Sequence, residues 1–452
     1  MTSIPTLRLS RSALALSVTA LLASTAPALA VPSFSTQTGQ ACSVCHVGAF
    51  GPQLTPYGRN FKLNGYVEND GNEHGLPLAL MMTSSFTATQ KSQDPPPVSG
   101  FGKNNNFSLD QISAFYAGGI TPSIGAFVQT TYDGINNVLH WDNMDVRYAH
   151  EGRLAGVDFV AGVTVNNNPT VQDLWNSTPA WGFPYSASGL APTPAASTVI
   201  DNNLAQNVLG AGVYASINDW VFLEADLYHD LSRNIRNGLG SVPVDGTDMY
   251  NGFIPYWRVA VEHDFNKEHY VQVGTYGLTA SRFPGGDKTT GLSDHFVDNA
   301  IDANYQWHAN PDHFVSLHTT YIHENQDVNA SAALGNAANT TNILKTFRAD
   351  ASYSYKNTWT PSIQYFNSHG TADANWWGTA SGSPNSEGYV AELAYVPFGK
   401  PDSALPWVNG RVALQYVAYT KFDGATSHAS DNNTIFLNLW LSLDPVAPLT
   451  NK

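Results

Sequence analysis

Between residues 76 and 444, hydrophobic and polar residues alternate along short stretches that turn-forming residues separate. The stretch 221–228, VFLEADLY, shows the pattern clearly, and 346–355 and 411–416 repeat it. Successive side chains of a strand point to opposite faces, so strict alternation indicates one apolar and one polar face. Stretches of about ten residues with this pattern are typical of a transmembrane β-barrel, whose outer face meets lipid. The fold class predicted is all-β: a transmembrane antiparallel barrel.

We count about sixteen predicted strands, an even number within the range known for bacterial barrels. Short turns such as Asn266-Lys267 alternate with long loops such as 166–203, as expected for periplasmic turns and extracellular loops. A soluble β-sandwich, the alternative, needs no such alternation. The predicted spans are 76–90, 106–118, 120–133, 138–150, 152–165, 204–217, 219–230, 252–265, 268–282, 294–308, 312–325, 341–356, 358–370, 387–397, 407–422 and 432–444.

The first 75 residues do not follow this alternation. Residues 1–30 read as a signal peptide, with Arg8 and Arg11 before a short apolar core and Ala28-Leu29-Ala30 at the cleavage site. Residues 31–75 are predicted to form a small α-helical unit, and 76–452 the outer-membrane barrel. Within the small unit we expect one helix over 37–46. A second is expected over 56–64, where proline suits the first turn.

The only two cysteines of the chain lie in the segment Cys42-Ser43-Val44-Cys45-His46. This C-x-x-C-H sequence is the attachment pattern for c-type haem, with two thiols for thioether bonds and an adjacent histidine as proximal iron ligand. A disulfide and half of a zinc site are the alternatives, but a zinc site needs about four ligands and no second pair exists. We therefore predict one covalently attached haem c.

The chain has a net negative charge, and this limits the classes of partner that it is expected to bind. The formal net charge is −15, and charged residues make up 13% of the sequence. No stripe of lysine and arginine supports nucleic-acid binding, which the acidic balance opposes. Net acidity favours cations or a basic redox partner, or serves solubility alone.

The segments 31–34, 42–46 and 54–66 (LTPYGRNFKLNGY) together resemble the fused monohaem cytochrome–porin family, whose best-known members are iron-oxidising outer-membrane cytochromes. The resemblance is sharp over 31–90 and only architectural beyond. It implies a cytochrome plug that enters a sixteen-stranded porin from the periplasmic side. It also implies transfer of electrons from an extracellular donor, with Fe(II) as one candidate, to a periplasmic cytochrome or other carrier.

The resemblance also places a methionine of the family's first strand at Met81. The alternation agrees, because it points Leu80 and Met82 towards lipid and Met81 into the lumen. An inward thioether beside the plug is a candidate second axial iron ligand, and His/Met ligation raises the reduction potential. His74 and His318 are the competing candidates, and Met81 as simple apolar lining is the remaining alternative.

Arg59 and Lys62 on the small unit are candidate partners for the haem propionates. Charged residues also face the predicted lumen, although porin interiors are polar in any case; these are Asp145, Arg147, Glu224, Asp226, Arg258, Glu262, Asp302, Arg348, Asp350, Glu392 and Arg411. No nucleophile or carboxylate-dyad motif is present, which favours an electron-transfer protein or, if an enzyme, an Fe(II):cytochrome c type oxidoreductase. The alternatives are a diffusion porin with a structural or gating haem plug and a haem peroxidase-like enzyme.

Overall fold

The computed structural model describes residues 31–72, 74–178, 182–240, 247–403 and 407–447, so the predicted signal peptide lies outside the described residues. Seventeen strands follow one another along these residues. They are β1 (Leu78–Thr89), β2 (Asn106–Thr121), β3 (Ile124–Asp133), β4 (Val138–Leu154), β5 (Val157–Asn166), β6 (Val208–Ile217), β7 (Val221–Asp230), β8 (Met249–Tyr250), β9 (Phe253–Phe265), β10 (His269–Phe283), β11 (Asp294–Asn310), β12 (His313–Asp327), β13 (Thr341–Tyr355), β14 (Trp359–Gly370), β15 (Ser386–Tyr395), β16 (Val408–Lys421) and β17 (Thr434–Leu443).

The strands close into a ring. Each strand pairs antiparallel with its neighbours in sequence, β7 pairs with β9, and β1 pairs with both β2 and β17. The two-residue β8 only extends the ladder at the end of β10. Sixteen long strands therefore form the wall, and the predicted antiparallel barrel is confirmed.

Side chains alternate across the wall as the sequence predicted. On β7, Leu223 and Leu227 are exposed outwards, whereas Glu224 and Asp226 are buried in the lumen. A closed ring leaves no unpaired strand edge, so its backbone polar groups are satisfied within hydrocarbon. Together with the outward apolar side chains, this defines a transmembrane β-barrel of the bacterial outer-membrane type. None of the described helices is long and apolar enough to cross a membrane.

The two ends of the barrel differ in their connections. One end, the short-turn end, carries tight turns such as 266–268 and 356–358, together with the start of β1 and the end of β17. Asn266 and Lys267 both have positive φ, of 57° and 61°, as the tight turns that suit twisted strands require. The opposite end, the long-loop end, carries the long connections. Two connections break the rule, because 134–137 is short at the long-loop end and 396–407 is long at the short-turn end.

One turn lies later in the chain than the predicted spans, which end one strand at 118 and begin the next at 120. Gly118 and Gly119 lie within β2, and only residues 122–123 turn the chain into β3. The glycines permit a close approach, because a Cβ on Gly118 would lie 2.5 Å from the Cβ of Pro77. Gly118 is therefore a packing position and not a turn position.

Three helices of the N-terminal segment lie within the barrel: α1 (Pro32–Thr38), α2 (Cys42–Cys45) and α3 (Pro56–Leu63). The prediction of one helix over 37–46 was wrong, since Gly39 ends α1 in the left-handed conformation, with φ 67°. The predicted helix over 56–64 is confirmed, and the Thr55 side chain caps it by accepting from the Gly58 amide. Short helices elsewhere are α4 (Pro169–Gln172), α5 (Arg233–Gly238), α6 (Asn329–Ala333), α7 (Ala374–Trp377), the 3₁₀ turns Val47–Ala49, Pro284–Gly286 and Ala429–Asn432, and the π turn Val199–Asn203.

The connection between β5 and β6, residues 167–207, folds into the barrel, and we call it the inserted loop. Its described parts bond to distant parts of the barrel, both through side chains, such as that of Asp201 to Arg348, and through backbone carbonyls. Gln415 donates to the Ser186 carbonyl at 3.1 Å, and Gln93 donates to the Leu190 carbonyl at 2.7 Å. The lumen is therefore occupied both by the N-terminal helices and by the inserted loop.

Candidate functional site

Residues 31–72, which we call the plug, are fixed at the short-turn end of the lumen by one glutamine. The Gln37 side-chain nitrogen donates to the carbonyls of Tyr66 and Glu68 at 2.8 and 2.7 Å. Its side-chain oxygen accepts from the Gly119 amide at 2.8 Å. Gln37 therefore joins both ends of the plug to the wall.

The plug has a small aromatic core. Phe34 packs edge-on against Phe61, with ring centroids 5.1 Å apart, and stacks on Tyr66 at 5.3 Å. These rings continue into a cluster with Phe115 and Phe127 of the wall. A unit of about forty residues has too little interior of its own to be stable, so the wall completes its core.

A buried ion pair holds the far side of the plug. Arg147 Nε donates to Asp145 Oδ2 at 2.8 Å, and the Tyr66 hydroxyl donates to the same oxygen at 2.6 Å. The Arg147 guanidinium also donates to the carbonyls of Lys62 and Gln172, at 3.3 and 2.6 Å. Both charged side chains are almost completely buried, with 1% and 0% of their surfaces exposed. This pair links wall, plug and inserted loop.

The inserted loop makes direct contacts with the plug. Lys62 Nζ donates to the carbonyls of Val171 and Asp173 at 2.7 and 2.8 Å. The Asn176 side chain donates to the Pro52 carbonyl at 3.0 Å. The loop therefore covers the plug from the side that faces the long-loop end.

The two thiols lie one turn apart on α2 and are not joined in a disulfide. Cys42 is fully buried in a cluster with Ala49 and Val396. Cys45 is half-buried and lies against α3, where a Cβ on Gly58 would be only 2.2 Å from the Cys45 carbonyl oxygen. Burial raises the pKa of Cys45 to about 12, so the thiol is uncharged at neutral pH.

His46 follows α2 in an extended conformation and lies between two cavities. The smaller cavity, of about 90 Å³, is lined by His46 with Cys45, Gly58, Phe61 and Lys62. The larger, of about 210 Å³, is lined by His46 with aromatic and apolar side chains such as Phe50, Met81 and Trp440, and with polar side chains that include Gln129 and Asp142.

The imidazole of His46 is in a suitable state to bind a metal. Its Nδ1 is buried and has no hydrogen-bond partner in the described part of the chain. Burial lowers its pKa from 6.5 to about 4, so the ring is neutral at neutral pH and keeps a free lone pair.

Of the three candidates for a second axial ligand, only Met81 lines a cavity together with His46. His74 lies at the open mouth of the short-turn end, where its Nε2 is 2.7 Å from Asp70 Oδ1. His318 is held in the lumen by Asp350 at 2.9 Å, and it lines neither cavity. Met82 is on the opposite face of β1, as the alternation predicted.

The structure separates the two basic residues of α3. Arg59 points away from both cavities, where it donates to the Leu54 carbonyl at 3.0 Å and to Gln306 at 2.8 Å, and it stacks on Tyr270 at 3.8 Å. Lys62 lines the cavity beside His46 and Cys45. From the sequence alone Arg59 and Lys62 were equal candidates, because helix spacing does not show which face of α3 meets the wall.

The residues around His46 fit a c-type haem in three respects and are incomplete in one. A neutral, half-buried imidazole, an adjacent free thiol and an opposing thioether surround the cavities. The Cys42 side chain, however, packs into its own cluster instead of lining either cavity. Within the described residues, no three His, Cys, Asp or Glu side chains come together as a site for a metal ion.

Sequence reasoning identified the charges of the lumen but missed their partners. Asp145 and Arg147 were expected to face inwards and do so. Their bonds to Tyr66 and to the inserted loop had no signal in the sequence. Residues 166–203 were predicted only as a long loop, and nothing in that prediction places them inside the barrel.

This arrangement defines a class: an outer-membrane β-barrel with a lumen filled by an N-terminal plug and an inserted loop. No protein-family model matches the sequence, and no curated protein matches it.

Among solved structures, the chain is similar to Salmonella typhi OmpF in complex with daunomycin, with 15% identity, TM-score 0.47, and 81% of this chain and 97% of that chain covered. It is similar to an anion-selective porin from Comamonas acidovorans, with 11% identity, TM-score 0.47, and coverage of 81% and 98%. It is also similar to the outer membrane channel DcaP of Acinetobacter baumannii, with 10% identity, TM-score 0.45, and coverage of 81% and 96%.

Proposed function

We propose that this chain is an outer-membrane electron-transfer protein of the fused monohaem cytochrome–porin type. Cys42 and Cys45 would hold one haem c covalently, and His46 and Met81 would bind its iron. A c-type haem supplies one-electron Fe(II)/Fe(III) chemistry, and its axial ligands and surroundings set the potential. The electrons pass from an extracellular donor, with Fe(II) as the leading candidate, to a periplasmic carrier.

The observation that carries this proposal is the cavity shared by His46 and Met81. Met81 approaches it from the wall, on a strand that begins only a few residues after the plug, and its position is fixed by pairing with Ser113 and Ser442. His46 approaches from the plug. Two potential ligands from separate elements thus meet across one largely apolar space, as a six-coordinate electron-transfer site requires.

The chain itself does three things at this site. Phe115, Phe127 and Trp440 give the cavity apolar surface, which would favour the less charged ferrous state of a bound haem and so raise its potential. Lys62 is the only cation that lines either cavity in the described residues, so it replaces Arg59 as our proposed propionate partner. Gly58 lets α3 pack on the Cys45 backbone.

The site lies near one end of the barrel. Met81 pairs with Ser442 close to the start of β1 and the end of β17, so the cavity is near the short-turn end. We propose that this end faces the periplasm, because short turns are periplasmic in such barrels. The plug then enters from the periplasmic side, and its redox centre is within reach of a periplasmic carrier.

Substituting Met81 tests both the ligand and the function. We expect Met81→Ala to lower the midpoint potential, since thioether ligation raises it, and to remove the Fe(III)–sulfur charge-transfer band. The matched control is Met82→Ala on the lipid-facing side of β1, which should change neither. Potentiometric titration, with stopped-flow reduction by Fe(II), measures the effect.

An unchanged potential and spectrum in Met81→Ala would exclude this ligand. A matching change in His74→Ala would assign bis-histidine ligation instead. Binding of carbon monoxide by the reduced wild-type protein would reveal the open iron position that a peroxidase needs.

A diffusion porin with a structural plug is the second candidate. The closed sixteen-stranded wall and its polar lumen favour it. The plug and the inserted loop meet inside the lumen, so a solute must pass around or displace them. Stable, voltage-independent conductance in planar bilayers, together with a protein that shows no redox spectrum, would establish the porin.

A further inference from the structure

The exposed charges of the barrel are distributed unequally between its two ends. At the short-turn end, nine acidic residues and three lysines or arginines are exposed among the described residues. The acidic residues are Glu68, Asp70, Glu151, Asp158, Asp219, Asp264, Glu268, Asp312 and Asp402, and the lysines and arginines are Arg153, Lys267 and Lys356.

The long-loop end has no such excess. Among the described residues there, only Asp94 and Asp327 are exposed acidic residues, against exposed Lys91, Lys103 and Lys288. The other acidic residues described in that half are half-buried or buried. The net acidity of the chain is therefore presented mainly at one end, and general solubility does not require that asymmetry.

The acidic groups surround the opening through which the plug enters. Glu68 and Asp70 lie at the end of the plug itself, and turns around the wall add Asp219, Asp264 and Asp312. An open cavity of about 390 Å³ lies beside the end of the plug, lined by residues that include Gln37 and His74. We call the nine exposed acidic residues the acidic rim.

We propose that the acidic rim is the docking surface for a basic, lysine-rich redox protein. The proposal rests on the proposed function, which needs a partner at this end. Charges of one sign arranged around an opening steer an oppositely charged protein and orient it over that opening. An electron carrier must bind and leave quickly, and electrostatic attraction gives fast association without a large apolar contact.

Binding of a model basic protein tests the proposal. The full-length protein in nanodiscs is titrated with a basic mitochondrial cytochrome c, and with the same cytochrome after its lysines are acetylated. We expect binding of the unmodified cytochrome only. Its affinity should fall by about tenfold or more between about 20 mM and about 300 mM salt, since screening shortens the range of the attraction.

Two pairs of substitutions, each removing two charges, locate the surface. Asp264→Asn with Glu268→Gln on the rim should weaken binding several-fold at low salt. Asp94→Asn with Asp327→Asn at the long-loop end should leave it unchanged. Equal affinity for the acetylated cytochrome, or equal effects of the two pairs, would overturn the proposal.

The outcomes separate docking from electron transfer. Salt-dependent binding that persists in Cys42→Ser with Cys45→Ser, when the wild type shows no redox activity, would retain the rim and reject the proposed function. Redox activity with small oxidants, without salt-dependent binding, would support the proposed function and reject the rim as a docking surface. Binding of Mg²⁺ that abolishes cytochrome binding is consistent with a rim of exposed carboxylates, and failure of Mg²⁺ to compete would count against it.

Discussion

The wall and the plug are held in place by different interactions. Every wall strand pairs its backbone with two neighbours, and its outward side chains meet lipid whatever their exact identity. The plug makes few backbone contacts with the wall, and particular side chains hold it, above all Gln37, Tyr66 and Arg147. We infer that single substitutions in the lumen can release the plug without opening the barrel.

Arg147→Met is expected to have the largest effect, because it should release the plug while the wall stays folded. Removing one member of a buried ion pair leaves an uncompensated charge on Asp145 and costs about 3–5 kcal/mol. The plug and the inserted loop lose this stabilisation, because Arg147 also bonds to the carbonyls of Lys62 and Gln172. Trypsin should then cleave within residues 31–72, while the barrel keeps its heat-modifiable mobility on gels.

Arg153→Met is the matched control on the same strand. Arg153 is 3.3 Å from Asp158, but both side chains are largely exposed, at 69% and 68%. Exposed pairs contribute little to stability, so the plug should stay protected. Equal cleavage in the two variants would mean that the buried pair does not hold the plug.

A smaller effect is expected within the plug from Gly58→Ala. The added Cβ would lie 2.2 Å from the Cys45 carbonyl oxygen, so α3 must move away from the segment that contains the thiols. Such overpacking costs about 1–3 kcal/mol. The plug should become moderately more sensitive to protease, whereas Gly238→Ala, where a Cβ meets nothing within 4 Å, should not change it.

The difference between the wall and the plug explains which features could be predicted from the sequence. The inward direction of Met81 follows from the period of a strand, and each wall residue carries that signal by itself. The direction of Arg59 depends on Gln306 and Tyr270, which lie on strands more than two hundred residues away. The fold of the wall was therefore predictable almost strand by strand, and the surroundings of the plug were not.

The position of the inserted loop inside the barrel could not be predicted from the sequence either. Several of its bonds to the wall and plug use backbone carbonyls, such as those of Ser186 and Val171, which every residue type possesses. Contacts of that kind leave little trace in side-chain patterns. The break between α1 and α2 was also missed, although Gly39 supplied a signal for it, because glycine readily takes the left-handed conformation that ends a helix.

The intact mass of the mature protein shows whether this barrel encloses one covalently bound haem. We expect the mass of the polypeptide from Val31 plus one haem, reduced to the bare polypeptide mass in Cys42→Ser with Cys45→Ser. The wild-type protein should also give the absorption spectrum of a low-spin haem c. A wild-type mass equal to that of the bare polypeptide, obtained from cells that attach haem to other c-type cytochromes, would contradict the claim.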